Sequence, residues 1–143
     1  MERHKRVNVY VDGAARGNPG PAGCGVVIKS DAKKTLKELS RYIGTATNNV
    51  AEYNALLCAL EESLAMGAEE VVVYLDSELI AQQLKGEFRV RDEQMKILFD
   101  RAVDLINRFK RCEVVHIGRE KNREADKLAN KAINLAGLKR QVE

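Results

Sequence analysis

Apolar and polar positions alternate along the start of the chain and then the alternation stops. Val7, Val9 and Val11 fall on one side of an extended segment and Asn8 and Tyr10 on the other, the period-two pattern of a half-buried strand. The pattern predicts a strand over 7–11, with Asp12 standing where that strand meets a loop. The loop carries glycines at 13, 17 and 20 around Asn18-Pro19, so its backbone can approach a ligand closely. Two more short strands follow, over 23–28 and 35–43, joined by a polar turn, which suggests an antiparallel meander. The third alternates poorly, with Leu36, Leu39, Tyr42 and Ile43 as its apolar positions.

From Asn49 the period lengthens. Val50, Tyr53, Leu57, Leu60 and Leu64 lie on one face of a helix, Ala51, Ala55 and Ala59 widen it, and Gly67 stands where a C-terminal cap belongs. Glu52 reads as a first-turn residue. Val71 to Leu75 is a continuous apolar run, as for a strand buried on both faces, and it ends in Asp76-Ser77, with Ser77 capping a short helix to Lys85-Gly86. A strand, a helix and a strand in this order imply parallel pairing with an earlier strand. After a short basic connector, Asp92 caps a long helix with Met95, Leu98, Phe99, Ala102, Leu105, Ile106 and Phe109 inside. A last strand over 114–117 leads through a polar loop to a final helix capped by Asn122. Ala125, Leu128, Ala129, Ala132 and Ala136 form its apolar stripe, and Asp126 borders it.

At 143 residues this reads as a single domain over 1–143, large enough for a core of its own. No apolar run approaches the ~20 residues of a membrane span, and no apolar segment follows the basic start, so no signal peptide is expected. Three widely spaced cysteines (Cys24, Cys58, Cys112) and two histidines argue against a disulfide framework or a His/Cys metal site, and fit a reducing cytoplasm. The net charge of +3 permits a nucleic-acid partner without requiring one.

What changes the picture is the placing of four carboxylates: Asp12 and Asp76 at strand ends, Glu52 and Asp126 at the starts of helices. Each alone has an ordinary explanation as a turn, cap or helix-dipole residue. Gathered together they would repel unless cations neutralised them, and oxygen-only ligands suit Mg²⁺ or Mn²⁺. Two such ions about 4 Å apart stabilise both oxygens of an in-line phosphoryl displacement.

With these residues in view the chain closely resembles type 1 ribonuclease H, the enzymes that cut the RNA strand of RNA/DNA hybrids. The matching stretches are Asp12-Gly13-Ala14 with Arg16-Gly17-Asn18-Pro19-Gly20, then Thr47-Asn48-Asn49-Val50-Ala51-Glu52, Asp76-Ser77, and Asn122-Arg123-Glu124-Ala125-Asp126, in the family's order. The resemblance implies an α/β fold, a single ribonuclease H domain whose five-stranded mixed sheet, order 3-2-1-4-5, is flanked by helices. It implies that Asp12 bridges two Mg²⁺ ions, that Glu52 and Asp76 complete one, and that Asp126 holds the ion that activates water, with Mn²⁺ able to substitute. The products would carry 5′-phosphate and 3′-hydroxyl ends. Gly13, Asn18, Asn48 and Asn49 match positions that meet the RNA strand, where amides suit a 2′-hydroxyl that both donates and accepts, and Thr47 matches a contact to a DNA phosphate. Turn and helix-cap roles for Asn18-Pro19 and Asn48-Asn49 remain open beside these.

The chain departs from the family in two places. The loop over 118–121 lacks the histidine that many members use in product release; either Glu120 or Glu124 takes over that role or the role is vacant, and His116 reads as structural. The stretch 86–92 is too short for the basic insertion that grips the hybrid, which leaves Lys85, Arg89 and Arg91 as backbone contacts, with Phe88 either stacking on the nucleic acid or packing inside. Proofreading exonucleases and integrases share scattered carboxylates but not the 47–52 stretch beside a glycine-rich loop. A silent binding module would tolerate loss of a carboxylate, and a P-loop would need a lysine and Ser/Thr that 13–20 lacks. The expected partner is the hybrid duplex, with no membrane, no obligate protein partner, and a monomer as the default.

Overall fold

The computed structural model describes residues 4–142, with side chains to 139. Strand β1 (Arg6–Ala15) buries Val7, Val9 and Val11 completely. It pairs antiparallel with β2 (Gly20–Lys29), and β2 pairs antiparallel with β3 (Thr35–Ala46), the expected meander. Helix α1 (Asn48–Ala65) crosses to β4 (Glu70–Leu75), which lies parallel to β1 on its other side. Helices α2 (Glu78–Leu84) and α3 (Glu93–Ile106) lead to β5 (Arg111–His116), parallel to β4. A 3-10 turn at Arg119–Lys121 precedes α4 (Arg123–Val142). The sheet order is β3-β2-β1-β4-β5, as expected.

The two sides of the sheet are covered unequally. Helices α1 and α3 enclose the main core, in which Tyr53, Leu56, Leu60, Val73, Leu75 and Ile80 are buried. On the other face α4 packs mainly on β2, β3 and β1. Strand β4 is therefore buried fully on one face alone; on the other, half-buried Tyr74 stacks on Tyr10 at 4.7 Å. The continuous apolar run had suggested two covered faces, and the stacked tyrosines stand in for the missing helix.

Several boundaries differ from the hydrophobic pattern. β2 and β3 run further than expected because Gly20, Pro21 and Ala22 pair with Ala46, Thr45 and Gly44, and register irregularities at Ala22/Gly23 and Ile28/Lys29 interrupt the alternation of β3. Helix α1 begins at Asn48, capped by Thr47 through its Oγ1 to the Val50 N–H (3.2 Å), so neither Asn48 nor Asn49 is the cap and Glu52 opens the second turn. Ser77 and Asp92 cap α2 and α3 as expected. Gly67 and Gly86 take the left-handed conformation just beyond α1 and α2. Phe88 is 52% exposed, which removes it from the core.

Candidate active site

Asp12 is inside β1 and not at its end. Parallel pairing with β4 stops at Val11↔Leu75, whereas antiparallel pairing with β2 continues through Asp12↔Gly25 to Ala15↔Ala22. The sheet opens beside Asp12 on one side only, and Asp76, the first residue after β4, stands at that opening. Glu52 reaches the same place from α1. Oxygens of Asp12, Glu52 and Asp76 all lie within 4.8 Å of one another, with Asp12 and Glu52 buried.

Two glycines make this convergence possible, one toward each helix. A Cβ on Gly13 would sit 2.2 Å from the Ala51 carbonyl carbon and 2.3 Å from the Glu52 nitrogen, so only glycine lets the first turns of α1 rest on β1. A Cβ on Gly25, the partner of Asp12 in the ladder, would sit 1.9 Å from the Ala125 carbonyl oxygen. That approach brings Asp126 of α4 toward Asp12. Gly13 was expected at the substrate; here its Cα is packed against α1. Gly25 was not anticipated, although a glycine inside a strand often marks close backbone approach.

The fourth carboxylate is arranged differently from the other three. Asp126 faces Asp12 closely enough to raise its pKa, yet stays outside the group within 4.8 Å. Its Oδ1 accepts from the Asn130 amide at 3.2 Å, and Asn130 in turn accepts from Arg16 Nη2 at 3.3 Å. Asn122, read as a cap, uses its side chain otherwise. It is 1% exposed and donates to the Val11 carbonyl (2.8 Å) and to Asp76 Oδ2 (3.1 Å), tying the start of α4 to both carboxylate-bearing strands. His116 is exposed at the end of β5, its Nε2 3.3 Å from the Asp76 carbonyl oxygen.

The electrostatics are those of a site built for cations. Burial, then the charge of Glu52, pushes Asp12 up to about 10, with Asp76 and Asp126 adding to the effect. Burial raises Glu52 as well, opposed by its hydrogen bond with Asp12, by the Gly13 N–H and by Arg119. Arg119, in the 118–121 loop, carries no sequence signal for this role. Glu52 Oε2 and Asn122 Oδ1 are buried without a hydrogen-bond partner. An oxygen-only donor set with an unpartnered buried carboxylate oxygen fits a hard divalent cation such as Mg²⁺ or Mn²⁺.

Asn18 and Asn48, two of the expected substrate residues, are brought together at the start of α1, the helix that carries Glu52. Asn18 Oδ1 accepts from the Asn48 N–H (3.1 Å), and Asn48 Oδ1 accepts from the Ala15 N–H (3.0 Å), so the glycine loop and the start of α1 hold each other. Both amide oxygens are committed internally, which leaves the NH₂ groups to donate outward. Asn49 is half-buried and Thr47 is occupied as the cap. Glu124 is turned to Lys29, 2.9 Å away, while the Glu120 carboxylate folds back over Gly118. Neither belongs to the three-carboxylate group.

The chain is similar to several known proteins. The family model described as reverse transcriptase-like matches residues 10–132. The chain is 40% identical to the ribonuclease HI of Halobacterium salinarum, over 93% of this chain and 67% of that protein. The crystal structure of that organism's RNase H1 superposes with a TM-score of 0.88, covering 90% of this chain and 98% of that one. The RNase H1 isolated from compost by a metagenomic approach, solved in complex with an RNA/DNA hybrid, is 47% identical with a TM-score of 0.87, covering 91% of this chain and 98% of that one. A bifunctional protein of Mycobacterium tuberculosis is 39% identical over 92% of this chain, which spans only 36% of that relative's length.

Proposed function

The chain belongs to the type 1 ribonuclease H family, and on that footing we propose that it hydrolyses the RNA strand of RNA/DNA hybrids internally, leaving 5′-phosphate and 3′-hydroxyl ends. The observation that carries the reading is the convergence of Asp12, Glu52 and Asp76 within 4.8 Å, with Asp126 facing Asp12 from α4. Asp12, Glu52, Asp76 and Asp126 would hold two Mg²⁺ ions, with Mn²⁺ able to replace them. When bound, such ions supply an activated water and neutralise charge on the attacking and leaving oxygens of the phosphate.

The chain's own residues do the rest. Asn122 fixes Asp76, the Gly13 N–H and Arg119 favour the ionised form of Glu52, and the four carboxylates draw cations into a place where they cannot all be charged alone. Asn18 and Asn48, with their oxygens held inside, present NH₂ donors to the 2′-hydroxyl that distinguishes RNA from DNA, and Asn49 joins them at the start of α1. Thr47 contacts a phosphate of the DNA strand from the end of the helix it caps. Lys85, Arg89 and Arg91 add electrostatic grip in place of a basic insertion. For product release Glu120 is the better placed of the two loop candidates, because Glu124 is engaged by Lys29.

We place the protein in the cytoplasm as a monomer. Its three cysteines are free, and among the described residues no helix is long and apolar enough to cross a membrane. The test is cleavage of a hybrid labelled on its RNA strand, in Mg²⁺, beside Asp12→Asn. Internal RNA cuts that vanish in the variant support the reading; trimming of DNA ends, or binding without cuts, overturns it.

A further inference from the structure

A line of hydrogen bonds runs from the glycine loop to the fourth carboxylate, and we infer that Arg16 and Asn130 are positioning residues that decide which oxygen Asp126 turns toward the site. The inference rests on the functional reading above, in which Asp126 is a metal ligand. Asn130 lies one helical turn after Asp126 on α4, on the same face. Its amide nitrogen donates both to the Asp126 carbonyl (3.0 Å) and to Asp126 Oδ1 (3.2 Å). Its amide oxygen accepts from Arg16 Nη2 at 3.3 Å.

The order of groups matters because an asparagine amide can sit either way round. A guanidinium has only donors and an ionised carboxylate only acceptors. Between the two, the Asn130 oxygen must face Arg16 and its nitrogen must face Asp126. Arg16 therefore reinforces the amide orientation that the Asp126 acceptors favour, with a donor held on Oδ1, and Oδ2 is the oxygen left for the site. Without Arg16 the Asn130 oxygen loses its partner, and the two Asp126 acceptors alone hold the amide in place.

Arg16 has a firm base for this task. Its own N–H donates to the Pro21 carbonyl at 2.8 Å, closing the loop, and the Asn18–Asn48 exchange fastens that loop to α1. The residue two places before Asn18 thus sets a carboxylate on α4. This hydrogen bond links the glycine loop directly to the last helix. Arg16 is also exposed, so a rival account makes it a simple contact to the nucleic-acid backbone. The two accounts predict different measurements.

The experiment compares the full chain with Asn130→Ala, Arg16→Ala, Arg16→Lys and the double alanine variant. Mn²⁺ binding is followed by electron paramagnetic resonance without nucleic acid, and kcat and KM are measured on a hybrid in Mg²⁺. Asn130→Ala should weaken Mn²⁺ binding about tenfold and lower kcat by a similar factor, with KM unchanged within a factor of about two. Arg16→Ala should do the same about threefold. The double variant should match Asn130→Ala, since Arg16 acts through the amide, and Arg16→Lys should recover part of the loss. The inference is overturned if Arg16→Ala raises KM while the Mn²⁺ curve stays that of the wild type, or if the two losses multiply. A wild-type chain that leaves the hybrid intact refutes the proposed activity instead, and the Mn²⁺ curves still decide the positioning role.

Discussion

Without metal, the replacement Asp12→Asn should make this protein more stable, and the gain should depend on pH. Asp12 is 6% exposed and shares its pocket with Glu52 and Asp76, so its carboxyl is held up to about 10 when folded against an ordinary value of 3.8 when unfolded. The sign follows from that direction. Below pH 4 both states are protonated and the site costs nothing; above it the folded state must keep the proton or bear the charge, and stability falls steadily as the pH rises toward 10. At about 1.4 kcal/mol per pH unit, the cost at pH 7 reaches at most about 4 kcal/mol, and sharing of the repulsion with Glu52 brings it to about 2–4 kcal/mol. For a chain of this length that is about 5–15 °C in melting temperature. Calorimetry in EDTA at pH 4.5, 7 and 9 should show the variant melting above the wild type, with a gap that widens with pH. Added Mg²⁺ should raise the wild type and leave the variant nearly unmoved. A variant less stable than wild type at pH 7, or a gap that does not shrink on acidification, refutes the reasoning.

Four further outcomes follow from single contacts. Gly13→Ala puts a Cβ 2.2 Å from the Ala51 carbonyl carbon, so α1 must move; a loss of about 3 kcal/mol in chemical denaturation is expected, together with lost cleavage, and a wild-type melt would show that the approach is not tight. Asn122→Leu leaves the Val11 carbonyl unpaired and frees Asp76, costing about 1–3 kcal/mol and lowering kcat more than it changes KM. Arg89→Ala and Arg91→Ala should each flatten the salt dependence of hybrid binding by about one in log–log slope, measured by titration of a fluorescent hybrid. Glu120→Ala should slow multiple turnover but not the first turnover, while Glu124→Ala should leave both alone because Lys29 holds that side chain elsewhere.

The caps at Ser77 and Asp92 and the amphipathic faces of the helices were legible because each depends on residues near one another in the chain, whereas the sheet order, which pairs β1 with the distant β4, came from the family resemblance. The carboxylates were legible for another reason: Asp12, Glu52, Asp76 and Asp126 stand in short motifs with a known order. What escaped was contact between distant elements. Nothing local in Gly23-Cys24-Gly25 says that α4 will rest on Gly25, and nothing in Arg16 says that it will meet Asn130, 114 residues later. Arg119 escaped because its charge acts on Glu52 across the fold, and nothing local in the 118–121 loop announces that. The end of β1 was misplaced because Asp12-Gly13 looks like a turn, although the antiparallel partner β2 carries the strand on to Ala15.

These misses share a physical cause that also explains the site. A cluster of carboxylates is repulsive, so no local preference assembles it; it must be imposed by packing that is favourable elsewhere. The valines of β1 and the apolar face of α1 supply that packing on one side, and the alanine stripe of α4 supplies it on the other. Gly13 and Gly25 then remove the side chains that would keep the two helices at ordinary distance. The helices close on the sheet because their apolar faces bury well, and the carboxylates are carried together as a consequence. It follows that substitutions which loosen this packing should relax the site before they unfold the protein. Ala125→Gly, a fully buried position whose carbonyl lies over Gly25, removes one methyl from the α4 contact and should cost about 2 kcal/mol, for the lost helix propensity and the lost burial together. If the argument holds, Mg²⁺ affinity falls by more than that energy accounts for in folding, and a variant that melts lower while binding Mg²⁺ as the wild type does would separate packing from site assembly.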